Sequence, residues 1–413
     1  MLSRLGFPSI GPHRRFVTAI AVDAMGSGVW MPVSMLYFLA VTSLSLVQVG
    51  AAISIAALVA LPSGPVLGML VDRLGAKRVL LAGNLMQVAG FTAYLFVDTF
   101  VTVLAAAILV ILGMTSFWGA YGNIVAAISL PGERERWFGF LGALRNVGFA
   151  IGGLASGLAV AIGTDLAFSA VVAANAASYA VAFWLLLAVP VAPREPHESL
   201  PGNWGTVLRD GPYRLLVLAQ VGYSISIMIL IFALPVYAVE VLDLPGWVGG
   251  VVFTVNCVMV GLGQGLVVNA LTGHVRYRVL LLAQATFATS YVVFLLASEL
   301  SVWVATVVVV VGCMVYTLAE LMGGPVLSAL AAESAPQHLR GRYLSLIQLA
   351  WNTSGMVGPL LFAWLLDSGA ANLWLVMLGL CAVAGAVTWL LGRVLPHAGQ
   401  PVTNRAAETP AGA

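Results

Sequence analysis

Charge is what this sequence most lacks. Only 8% of its 413 residues are Asp, Glu, Lys or Arg, where a soluble domain carries roughly 25%. Folded in water, a chain that is 61% apolar would have to hide almost all of its surface, and soluble proteins leave much of theirs exposed. Lipid is therefore the expected solvent. The formal net charge is only +2, so no nucleic-acid partner is expected. Cysteine is nearly absent as well. Cys257, Cys313 and Cys381 each sit inside an apolar run, far apart and outside any metal-ligand spacing. They read as small core residues, with no disulfide framework and no metal site. The sequence offers no nucleophile–base pair, metal cluster or phosphate loop, so neither an enzyme nor a cofactor is expected. The histidines, His13, His197, His274, His338 and His397, all fall in loops or tails between apolar runs.

What the chain has in abundance is apolar stretches near the ~20 residues needed to cross a bilayer. They predict an all-α integral membrane protein of twelve transmembrane helices, at 16–39, 47–71, 79–97, 101–130, 137–162, 166–189, 215–241, 249–271, 279–297, 302–331, 343–366 and 373–391. The fourth and tenth runs are long enough that they must tilt, bend or protrude. Arg4, Arg14 and Arg15 ahead of the first run imitate a signal peptide. That run is too long for one and no small-residue cleavage site follows, so it reads as an uncleaved span.

Basic residues fix the expected orientation. Arg4, Arg14 and Arg15, then Arg73, Lys77 and Arg78, then Arg134 and Arg136 all fall on one side of a twelve-span arrangement. So do Arg194, Arg209 and Arg214, Arg276 and Arg278, Arg340 and Arg342, and Arg393 and Arg405. The opposite loops hold only acids, such as Asp98, Asp165, Glu240, Asp243, Glu299 and Asp367. Both termini are expected in the cytoplasm, and the single lysine against seventeen arginines fits a GC-rich bacterial genome and hence the cell inner membrane. A polar, proline-bearing linker divides the chain into a six-helix bundle at 1–189, a linker at 190–214, a second six-helix bundle at 215–391 and a tail at 392–413. An offset of 206 residues places Arg134 on Arg340, Arg136 on Arg342, Asn146 on Asn352 and Gly152 on Gly358, and an offset of 203 places Pro32 on Pro235. The halves read as a duplication, two pseudo-symmetric bundles.

The loop between the second and third spans reads Gly68-Met69-Leu70-Val71-Asp72-Arg73-Leu74-Gly75-Ala76-Lys77-Arg78. It resembles the signature loop of the major facilitator superfamily, and the chain is identified as a member on its spacing, its position and its side of the membrane. Glu320 to Pro325, with Ala335-Pro336 and Arg340-Gly341-Arg342-Tyr343, resembles bacterial drug-exporter-type members. Gly139, Gly148 and Gly152-Gly153 in the fifth span are similar to the glycine pattern of the family's antiporters, with Phe149 where they carry proline. The resemblance implies a monomeric secondary transporter of a small-molecule substrate, working by alternating access in the lipid bilayer. It implies that Gly68, Asp72, Arg73, Gly75, Lys77 and Arg78 form a conformational latch, with Asp72 near the start of the eleventh span, where unpaired N–H groups favour an anion. The matching loop of the second half, Gly265 to Arg278, carries Asn269 in place of the acid and would latch less firmly.

Asp23, Arg145 and Glu320 remain well inside spans, where each charge needs a partner or a water-filled cavity. Asp23 lies eight residues past Arg15 and Arg145 nine past Arg136, so their depths match and an ion pair is expected, either permanent or changing with state. The second half has no basic residue inside its spans for Glu320, and desolvation favours its neutral acid. Glu320 is expected to carry protons or to anchor a cation, with Gly323-Gly324-Pro325 loosening the helix beyond it. Spans one, four, seven and ten line the cavity in the resembled fold. That points to Trp30, Tyr37, Phe117, Trp118, Tyr121, Asn123, Gln220, Tyr223 and Phe232, and Asn352 of the eleventh span is expected to join them. Such walls suit proton-coupled efflux of a hydrophobic or amphipathic molecule. A polar metabolite such as a sugar, or a non-transporting receptor or scaffold on the same fold, are the alternatives.

Overall fold

Backbone groups in hydrocarbon must find partners within their own segment, so each apolar run closes on itself as a helix. The computed structural model describes residues 10–128, 134–189, 204–336 and 339–402. In chain order the long helices are α1 (Arg14–Val41), α2 (Leu46–Ala60 with Ser63–Leu74), α3 (Ala76–Tyr94), α4 (Phe100–Ile128), α5 (Arg134–Ile162) and α6 (Asp165–Leu187). The second six are α7 (Gly211–Val241), α8 (Trp247–Leu271), α9 (Arg276–Ala297), α10 (Val302–Glu333), α11 (Arg340–Asp367) and α12 (Ala370–Val394). Ten are long and apolar enough to cross a bilayer unaided; the others are α2, which is broken, and α3, which starts on Lys77 and Arg78 and carries Asn84 and Gln87. This is the twelve-helix, all-α membrane architecture the charge alternation predicts. Among the described residues, strand geometry is limited to a bridge between Val275 and Pro401.

The break in α2 falls inside a run expected to be continuous. Pro62 has no N–H to give, and the chain tightens there so that the Leu61 N–H bonds the Leu58 carbonyl at 3.2 Å. The two prolines aligned by the duplication interrupt corresponding helices. Pro32 opens a 3-10 turn at Met31–Val33 in α1, and Pro235 breaks α7 ahead of a π turn at Tyr237–Val241. Gly75 and Gly273 turn the chain between α2 and α3 and between α8 and α9 with φ of 86° and 88°, a conformation cheap only for glycine. The linker residues 190–203 lie outside the described residues.

Contacts within the chain define two compact units. Of the described residues, the first holds 10–128, 134–189, 228–261 and 355–370. Its basic-loop end is a core of Phe16, Ile20, Leu80, Phe117, Ile124, Trp137, Leu141 and Leu186, from α1, α3, α4, α5 and α6. The glycines of α5 serve two neighbours. A Cβ on Gly148 would stand 2.7 Å from the Ala24 Cβ, and one on Gly152 would overlap the backbone of α1 at Met25 and Val29. Gly153 and Gly157 face α8 instead, where added methyls would meet Thr254 Oγ1 at 2.9 Å and the Trp247 carbonyl at 3.0 Å. Thr254 Oγ1 donates to the Ala150 carbonyl at 3.1 Å. α2 meets α11 in the same close manner, with Gly50 against Pro359 and the Leu360 N–H donating to Ser54 Oγ at 3.0 Å.

Of the described residues, the second unit holds 204–227, 262–336, 339–354 and 371–402. In it the chain beyond α12 doubles back over the α8–α9 turn. The Gly273 N–H donates to the Val402 carbonyl at 2.9 Å, the Val402 N–H to His274 at 2.8 Å and the Arg276 N–H to Gln400 at 3.1 Å. The buried Arg276 guanidinium grips both carboxylate oxygens of Glu333 at the end of α10, a bidentate geometry that fixes orientation as well as charge.

Candidate functional site

Among the described residues, each unit carries one acid well inside a long apolar helix, Asp23 in the first and Glu320 in the second. In the first, α1 supplies Asp23 and α5 supplies Arg145. Their close approach follows from the small residues above, since Gly28 on α1 faces the Phe149 backbone, where a Cβ would stand at 2.6 Å. Arg145 Nη1 donates to Asp23 Oδ2 at 2.8 Å, with both side chains buried. The guanidinium carbon lies 4.6 Å from the Trp118 ring centroid and 5.0 Å from that of Phe149, so aromatic faces take up charge that one carboxylate leaves. Tyr121 is 5.3 Å from Trp118, ring to ring. Trp118 is 47% exposed and Tyr121 only 7%, so Trp118 is the accessible side of this charge pair. Phe149, standing where the resembled antiporters have proline, supplies one of the two faces.

In the second unit, Gln220, Tyr223, Gln264, Glu320, Gly324, Pro325, Ser328, Ile347 and Trp351 line a half-open cavity of about 340 Å³. Pro325 is part of its wall. Pro325 cannot donate to the Leu321 carbonyl one turn back, yet α10 runs unbroken from Val302 to Glu333. Gln264 Nε2 on α8 donates to the Leu321 carbonyl at 3.2 Å, and Tyr223 Oη on α7 donates to the Glu320 carbonyl at 3.0 Å. Gly323 and Gly324 make room for that tyrosine, since a Cβ on either would lie 2.7–2.8 Å from it. The segment expected to loosen is thus tied by two neighbouring helices. Gln220 Nε2 donates to Ser224 Oγ at 3.0 Å, and Tyr223 meets Trp351 edge-on at 6.1 Å.

The other predicted residues fall as follows. Trp30 and Tyr37 sit in an aromatic cluster with Phe38, Phe91 and Tyr94, and Tyr37 Oη donates to the Tyr94 carbonyl at 2.7 Å. Tyr37 is 1% exposed, so this cluster is packing inside the first unit. Asn123 and Phe232 are half-buried, while Asn352 is exposed and accepts from Gln348 Nε2 at 3.2 Å. In the signature loop, Lys77 Nζ donates to the Leu187 and Val189 carbonyls at 2.8 and 2.7 Å, closing the end of α6. Arg73 and Arg78 are exposed. The surroundings of Gly68, the Asp72 side chain, Gly139 and the side chains of Arg134, Arg136 and Arg340 lie outside the described residues. Gln264, Ser328, Ile347 and Trp351 were not singled out from the sequence. Gln264 had a signal, being one of three amides in the apolar run of α8, with Asn256 and Asn269, beside a helix whose proline frees a carbonyl.

Known proteins place this arrangement. The chain is 26% identical over 392 residues to the class G tetracycline resistance protein of Vibrio anguillarum, covering 87% of this chain and 92% of that protein. It is 25% identical over 371 residues to the multidrug resistance protein MdtH of Klebsiella pneumoniae, covering 88% of each. Two solved structures share the fold at 14% identity. A bacterial homologue of the iron transporter ferroportin in an inward-facing state matches with a TM-score of 0.77 over 93% of this chain and 99% of that one. A D-xylose–proton symporter matches with a TM-score of 0.74 over 94% and 98%. The family model described as Major Facilitator Superfamily matches residues 16–323 and, overlapping, 267–412. With that match running through both halves of a duplicated twelve-helix bundle, the chain belongs to the Major Facilitator Superfamily, a family of membrane transporters.

Proposed function

We propose that this transporter exports hydrophobic or amphipathic small molecules in exchange for protons, by alternating access in a cell inner membrane with both termini cytoplasmic. The observation that carries the reading is Glu320 lining a cavity walled by Tyr223 and Trp351, a carboxyl beside aromatic faces at bilayer depth. The tetracycline and multidrug resistance relatives support the substrate class. In this reading, bundles at 1–189 and 215–391 rock about the linker at 190–214, and Asp72 latches them. Asp23 with Arg145 forms the first coupling site and Glu320 the second. One proton moving inward supplies about 2.3 kcal/mol per 100 mV and about 1.4 per pH unit.

The test is a substrate panel, including tetracycline and lipophilic dyes, in proteoliposomes with and without an imposed pH gradient. Glu320→Gln has nearly the shape of the protonated acid. It should keep substrate exchange at equilibrium and lose gradient-driven accumulation. Accumulation like wild type by Glu320→Gln would exclude Glu320 as the coupling group. Gln220 and Gln264 in the same cavity favour a second reading, transport of a polar metabolite such as a sugar. Labelled sugar moving across the same vesicles, with no dye transport, would select it.

A further inference from the structure

α9 and α12 run antiparallel and touch along their length. Trp374 meets Phe294 and Tyr291 at 4.9 and 6.0 Å, Leu281 reaches to 4.0 Å of a Cβ built on Gly385, and the Tyr277 ring fills the notch at Gly392, where a Cβ would lie 2.5–2.9 Å from it. The last contact brings the next residue of each helix, Arg278 and Arg393, to within about 3 Å of one depth on the basic-loop end. We propose that these two arginines hold the headgroup of an anionic phospholipid, whose acyl chains lie along the seam of α9 and α12.

Both arginines are exposed, and among the described residues neither has a carboxylate partner. Each is fixed by an aromatic residue instead. Arg278 Nε donates to Tyr277 Oη at 3.3 Å, and the Arg393 guanidinium lies 3.6 Å from the Trp389 ring centroid. A guanidinium so stacked keeps its N–H edge open for a planar or tetrahedral oxyanion. Because the helices are antiparallel, Leu282 on α9 and Trp389 on α12 both lie one turn deeper than the arginines, about 6 Å. Both are exposed and apolar, as are Val383 and Leu390 nearby. Cation above and hydrocarbon below is the profile of a phospholipid, and basic pockets between spans at the positive side take acidic headgroups. Free phosphate would satisfy the arginines alone.

The full-length protein, purified in a mild detergent, is titrated with phosphatidylglycerol or phosphatidylcholine and read by native mass spectrometry. One phosphatidylglycerol should bind more tightly than any phosphatidylcholine. Arg278→Gln with Arg393→Gln should weaken it about thirtyfold, and either alone about fivefold, at about 1 kcal/mol per basic side chain and tenfold per 1.4 kcal/mol. Arg14→Gln, an equal loss of charge elsewhere on the same end, should leave it unchanged, and excess glycerol phosphate should not displace it. Equal affinity for the two lipids, equal loss in Arg14→Gln and the double variant, or displacement by glycerol phosphate would each overturn the proposal.

Discussion

A guanidinium taken from water into a helix bundle gives up hydration worth several kcal/mol. Arg145 recovers part of it from one Asp23 oxygen at 2.8 Å and part from the rings of Trp118 and Phe149. Removing one partner therefore strands the other. We predict that Asp23→Asn or Arg145→Gln alone destabilises the protein by about 3–5 kcal/mol, and that the double variant loses much less than the sum. Thermal unfolding in detergent measures the cycle, and additive losses would mean the two groups do not act as a pair. The pair was legible before the fold was known, because helix rise turns residue counts into depth. Its aromatic surroundings were only half legible. Trp118 stood out as a cavity candidate, but no spacing rule says that its face covers an arginine on another helix.

The helices show what small residues and prolines do in lipid, where association depends on close packing. Gly152 lets the α1 backbone lie against α5, so Gly152→Leu should prevent folding, and a monodisperse chromatographic peak from that variant would contradict the packing described. α10 makes a subtler case. Gln264 supplies the donor that Pro325 lacks. Gln264→Leu should cost about 1–3 kcal/mol, the desolvation of an unmet carbonyl, and most of that should vanish in a Pro325→Ala background, where the helix supplies its own N–H. Unfolding midpoints of the four proteins decide this, and an equal loss in both backgrounds would show that Gln264 does not serve the proline. At this scale the sequence announced that α10 would be disturbed at Gly323-Gly324-Pro325. It did not announce the repair, because the donors come from α7 and α8 and depend on which face each helix presents.

For the whole molecule, the architecture was legible because lipid permits so little else. The basic residues, Arg145 apart, alternate with the spans, and the 206-residue offset maps α5 onto α11. The structure adds that the mapping extends to contacts, since Gly152 packs on α1 while Gly358 meets Met228 of α7. The C-terminal segment clasped over the α8–α9 turn was not legible, as it depends on backbone partners far apart in sequence, whereas the break at Pro62 had a local signal in the proline itself, inside a run read as continuous. The signature loop yields the prediction at this scale. Asp72→Asn should preserve expression and the twelve-helix fold while impairing transport and shifting the conformational balance. Cysteine accessibility from each side reads that balance. Wild-type turnover with an unshifted balance would remove Asp72 from any latch.

Lys77 carries one more consequence. It is the sole lysine of the chain, and its ammonium is engaged by two carbonyls that close α6. An amine-directed reagent thus has a single side-chain target, and it must wait until that engagement breaks. The rate at which Lys77 is acylated, followed by peptide mass, becomes a clock for the parting of the signature loop from α6, readable in the unmutated protein as gradients and substrates are applied.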